Sequence, residues 1–200
     1  MEPPVNIDPL AHEVPIRPPV LPGDKYSLRR YGAPRANGAA LYVWRDVLAS
    51  LVDASRTDPE RFRAFVLTGS PFVGPLGAYV EVRGYTDLGQ FTDAIGFANE
   101  VHRHWDQLHN RVRRMNGMHR VVGWGFMRPG CAGLPGPVER VVHRTLFHLP
   151  FEVTLALDPT DRQFGFHGLS VRGQLVPVGF QLVSRRSSPL APPIAPEAIP

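Results

Sequence analysis

Two hundred residues with 43% apolar content supply enough hydrophobic surface for one core, so a single domain with terminal extensions is expected. The formal charge of +4 rests almost wholly on arginine, Lys25 being the sole lysine, and the sole cysteine, Cys131, excludes an internal disulfide and a multi-cysteine zinc site. No uninterrupted apolar run is long enough to span a bilayer, and the first residues lack the basic start and apolar stretch of a signal peptide, so a cytoplasmic chain with no membrane partner is expected.

In chain order, residues 1–30 are Pro-rich and are read as an N-terminal extension, residues 31–183 as the folded domain, and residues 184–200 (SRRSSPLAPPIAPEAIP) as a Pro-rich flexible tail. The stretch 39–43 (AALYV) predicts a strand. Trp44, Val47, Leu48, Leu51 and Val52 recur at helical spacing, which predicts a helix over 44–55 that stops before Asp58-Pro59. Residues 62–68 and 77–84 predict two strands joined by the Gly/Pro-rich stretch 69–77, which lacks the Gly-Lys-Ser/Thr of a phosphate loop. Phe91, Ile95, Ala98, Val101, Trp105, Leu108, Val112 and Met115 keep steps of three and four and predict one long amphipathic helix over 91–115.

A strand over 119–126 follows, running into the turn of GWGFMRPG (123–130), and then a helix over 138–148. Strands are expected at 151–158, where Phe151, Val153, Leu155 and Leu157 alternate with Glu152, Thr154, Ala156 and Asp158, and at 164–171 and 176–183. This order points to an α/β fold in which helices pack on a mixed β-sheet.

Val121-Val122-Gly123-Trp124, the Pro129-Gly130 turn and Leu155-Ala156-Leu157-Asp158-Pro159 together resemble the MPN domain and its JAMM metalloprotease branch. The upstream Phe65-Val66-Leu67-Thr68-Gly69 resembles the strand ending in glycine of the same family. The resemblance covers roughly residues 37–183 and implies a cytidine-deaminase-like architecture. In active members it implies a zinc ion held by two histidines and an aspartate, an upstream glutamate that moves the proton, and a serine that helps hold the oxyanion. Here the first histidine's place holds Phe126, the second Arg128, the serine's place Gly136 and the aspartate's Glu139, while the glutamate's place falls near Phe62, two residues from Glu60.

A phenyl ring offers no lone pair to a metal, and a guanidinium is a permanent cation without an acceptor. The resemblance therefore implies a catalytically inactive domain with no metal or cofactor, serving as a structural or protein-interaction subunit. Its expected partner is a protein, another MPN domain or a second copy of the chain. For Phe126 and Arg128 two roles stand open. Either the ring fills the vacated pocket while Arg128 pairs with a carboxylate such as Glu139, or the altered groove grips a partner.

Other constellations carry weaker expectations. A relocated zinc hydrolase would use His119 or His167 with Glu60 as base. The segment VHRHWDQLH offers His102, Asp106 and His109 at helical spacing, and His143, His148 or His167 offers a base to Cys131 or a serine. Eight arginines against two acids between residues 101 and 145 suggest a face for an acidic partner, with Arg111, Arg113, Arg114 and Arg128 as candidates, or, less favoured, for nucleic acid. The preference for arginine over lysine points to a GC-rich bacterial source.

Overall fold

The computed structural model describes residues 26–33, 39–56, 60–74, 77–116 and 119–185. Most of both expected extensions and Asp58-Pro59, the expected helix stop, lie outside the described residues.

Among the described residues nine strands form one sheet. They are β1 (Tyr26–Tyr31), β2 (Ala40–Trp44), β3 (Arg63–Gly74), β4 (Gly77–Gln90), β5 (Arg120–Met127), β6 (Val153–Asp158), β7 (Gln163–Leu169), β8 (Leu175–Pro177) and β9 (Phe180–Arg185). The described residues also form four helices, α1 (Arg45–Ala54), α2 (Ala94–Arg103), α3 (Trp105–Asn116) and α4 (Pro137–Leu146). The strand order is β1-β9-β2-β4-β3-β5-β6-β7-β8, with β2 parallel to β4 and β9, β5 parallel to β6, and the remaining pairs antiparallel. The α/β class and the mixed sheet are thus as the hydrophobic periods indicate.

Alternation sorts the side chains into two cores. Phe65 and Leu67 of β3, Leu155 and Leu157 of β6 and Val43 of β2 share one face with Val47, Leu48 and Leu51 of α1. Ala64, Val66 and Ala156 point the other way, against Phe97 and Val101 of α2, Leu108 and Val112 of α3, and Val142 of α4. The sheet curls until its ends meet: the Val178 N–H donates to Phe166 O at 2.8 Å, the Gly179 N–H to Ala33 O at 2.9 Å, and the Phe166 and Phe180 rings lie 5.1 Å apart.

Several elements depart from the sequence reading. The helix expected over 91–115 is two helices. Asp93 starts α2 by accepting from the N–H groups of Ile95 and Gly96 at 2.9 Å each, which leaves Phe91 and Thr92 outside it. His104 (φ −115°, ψ 19°) ends α2 and turns the axis, so that Val101 and Val112 both stay buried against a curved sheet.

The nine-residue connection expected at 69–77 is mostly strand, because β3 and β4 continue as one hairpin to Gly74 and Gly77. Pro71 is tolerated there because β3 pairs with β5 only as far as Gly69, so no β5 carbonyl calls for an N–H at this position. The strand expected at 176–183 is cut at Val178-Gly179, where the chain passes from the β7 side of the sheet to its opposite end. Pairing also extends outside the expected 31–183 body, since β1 takes in Tyr26–Arg30 and β9 runs on to Arg185.

Candidate functional site

The sequence motif lies at the end of β5, and a backbone irregularity aims it. Leu67 pairs with Gly123 and Thr68 with Val121, so Val122 is the extra residue of a bulge. Gly123 has φ +149°, and a Cβ there would sit 1.9 Å from Val153 O, so only glycine fits. The bulge resets the alternation and places Val121, Trp124 and Phe126 together in the helix-covered core.

Four of the five positions singled out above line one cleft of about 430 Å³, and the fifth, Phe126, is fully buried beside it. The Phe126 ring stacks on Phe62 at 5.8 Å and 10° between planes, and leans on Trp124 at 5.4 Å. Arg128 leaves the strand end with its N–H bonded to Leu157 O at 3.0 Å, and its guanidinium turns to Glu139 of α4. Arg128 Nε lies 3.2 Å from Glu139 Oε1, at ion-pair distance though not aligned as a hydrogen bond. Glu139 is only 6% exposed, so the pair supplies the cation a buried carboxylate needs. Gly136 stands against this pair: a Cβ there would lie 2.7 Å from Glu139 Oε2 and 3.4 Å from Arg128 Nη2.

Asp158 holds the loop that carries these residues, a role the sequence reading did not assign. Its carboxylate accepts from the backbone N–H groups of Ala132 at 2.7 Å and Thr160 at 3.0 Å. Burial works to raise its pKa, yet these N–H groups, with those of Asp161 and Gly130, hold it below the usual carboxylate value. The available signal was an aspartate before proline at a strand end, where an Asx turn forms readily.

Other sequence candidates come apart. Glu60, His119 and His167 line three different cavities, so no one cavity gathers them. His102 lies on α2 and Asp106 and His109 on α3, so the break at His104 spoils their helical spacing. Among the described residues no group of three or more His, Cys, Asp or Glu side chains is placed to hold a metal ion. Cys131 is buried, and burial raises its thiol pKa, the opposite of what a nucleophile requires.

The remaining histidines are similarly placed. His143 Nδ1 is bonded to Thr154 Oγ1 at 2.6 Å, His148 is exposed, and burial, with Arg140 adding to it, pushes buried His167 down to about 4. Arg111, Arg113 and Arg114 are exposed on α3 around buried Val112, whereas Arg128 is committed to Glu139 and Arg140 Nε donates to Pro135 O. The arginine excess is therefore spread over α2, α3, β5 and α4, and the cleft holds only Arg128 of the four candidates.

One feature beside the cleft escaped the sequence reading. Ile95 (53% exposed) and Val138 (41%) flank the cleft from α2 and α4, and Val141 (61%), one turn beyond Val138, extends the apolar rim. Ile95 was assigned to a buried stripe, and the Asp93 cap instead turns it outward at the first turn of α2.

No protein-family model matches the chain, and no curated protein matches it. Among the described residues no helix is long and apolar enough to cross a membrane.

Proposed function

We propose that this chain is a catalytically inactive MPN-like domain that serves as a structural or assembly subunit and binds a protein partner, another such domain or a second copy of itself. One observation carries the reading. The positions reached by counting along the family pattern, Phe62, Phe126, Arg128, Gly136 and Glu139, come together in three dimensions, with a ring stack and an ion pair on the wall of one cleft. A stacked phenyl pair has no electron pair for zinc, and the Glu139 carboxylate is already engaged in an ion pair with Arg128. The curled mixed sheet with one helix on one face and three on the other is compatible with that family's architecture.

The partner-binding role rests on Ile95, Val138 and Val141, apolar side chains clustered on one rim rather than scattered. The full chain is expected to elute as a discrete dimer or larger assembly by size exclusion with light scattering. The variant Ile95→Asp with Val141→Asp is expected to shift it to the monomer mass while melting within a few degrees of wild type, because both side chains are exposed. A monodisperse wild-type monomer that recovers no partner in pull-downs contradicts the reading.

A further inference from the structure

A cavity of about 640 Å³ lies far from the motif in sequence, at the carboxyl ends of the parallel strands β2 and β9, where α1 begins without an intervening loop. Crevices at the carboxyl ends of parallel strands are where α/β sheets commonly receive ligands. Trp44, Ala49 and Val183 form its apolar wall, and Arg45, Arg83, Arg185, His119 and Asp46 its polar one.

Arg83 is held in place. Its Nε and Nη2 reach the same oxygen of Glu81, Oε2, at 2.6 and 2.5 Å, and its guanidinium carbon lies 4.7 Å from the Trp44 ring centroid. Glu81 is 1% exposed, so a buried carboxylate and an indole face fix this guanidinium while its Nη1 edge makes no hydrogen bond among the described residues. Arg45 and Arg185 are exposed on the rim, and neither makes an ion pair among the described residues. Trp44 Nε1 and His119 Nδ1, both buried polar atoms of lining residues, have no partner among the described residues either. The carboxylates facing these cations are Glu81, taken up by Arg83, and Asp46, whose Oδ1 accepts from the Val47 N–H at 3.0 Å.

The geometry points to a binding site for a phosphate-bearing small molecule, its phosphate gripped by Arg45, Arg83 and Arg185 and its apolar part laid along Trp44, Ala49 and Val183. Guanidinium forks match phosphate oxygens two at a time, and a dianion balances two unpaired arginines better than a single carboxylate does. The volume exceeds what a bare phosphate fills and falls in the range of small-molecule sites. Glu81 and Arg83, two residues apart on β4, belong to one face of the strand, and Trp44 comes from the adjacent β2, so this site does not depend on the proposed family.

Isothermal titration calorimetry of the full chain with inorganic pyrophosphate, and with citrate as a carboxylate of comparable charge, tests the site. Pyrophosphate is expected to bind saturably at one site per chain. Binding should weaken by at least about tenfold in Arg45→Ser with Arg185→Ser and stay unchanged in Arg172→Ser, an exposed turn residue away from the cavity. The Arg185→Ser single variant, at the end of β9, should show a smaller loss in the same direction. Absence of saturable binding, equal affinity in the double variant, or citrate binding as tightly as pyrophosphate overturns the assignment. None of these outcomes bears on the state of the Phe126 cleft, so the two readings fail separately.

Discussion

Phe126→Ala is expected to lower the unfolding free energy by about 3–5 kcal/mol, read as a fall in the urea midpoint without a change in slope. The ring is fully buried, stacked on Phe62 and tilted against Trp124. Trp124 is itself fully buried, stacked on Phe97 at 4.8 Å and on Phe147 at 6.0 Å, so a hole at 126 opens beside the aromatic group that joins β5 to α2 and α4. Phe126→His is expected to cost a similar amount. The imidazole loses the stacking and buries two nitrogens against Phe62 and Trp124, neither of which offers an acceptor. Placing one histidine there would therefore unsettle the core rather than create a metal ligand. A loss below about 1 kcal/mol for Phe126→Ala would mean that the ring does not fill a packed site.

The second large effect concerns pH. Glu152 is 3% exposed, with Oε2 accepting from the Leu149 N–H at 2.8 Å. Burial pushes its pKa up from 4.5 to about 8, the Leu149 bond offsetting only part of the shift. The folded chain thus keeps a proton that the unfolded chain releases near pH 4.5. Stability is fully present below that pH and is lost as pH rises through about 8, a loss of at most about 5 kcal/mol that then levels off. Glu152→Gln keeps an oxygen for the Leu149 N–H and removes the ionisation. Its melting temperature is expected to match wild type at pH 4 and to exceed it clearly at pH 9, as thermal melts across that range will show. Parallel pH profiles for the two proteins would contradict the assignment.

Local period was enough for much of the fold. Helices α1 and α4 and strands β2, β5, β6 and β7 lie within a residue or two of where spacing puts them, because each buries a regular stripe. What was illegible depends on distant partners. Glu152 alternates with apolar residues in the sequence, which carries no sign of its burial, but it lies next to β6, all of whose residues are buried because both faces of the sheet are covered there. The break at His104, the hairpin continuing past Pro71 and the passage of the chain at Gly179 follow from a curled sheet that local spacing does not encode. At the cleft, counting along GWGFMRPG and onward to Glu139 picked residues that do meet, and the Arg128–Glu139 pair is the one weighed from sequence. The Trp44–Arg83–Glu81 group was invisible because β2 and β4 are brought together only by folding.

On the proposed reading, rings and an ion pair stand where an active MPN domain would hold zinc. The direct test is the zinc content, by inductively coupled plasma mass spectrometry, of the full chain purified without a metal-affinity tag. The account predicts zinc far below one ion per chain, unchanged by Arg128→Leu. Zinc near one per chain that survives dialysis would contradict it.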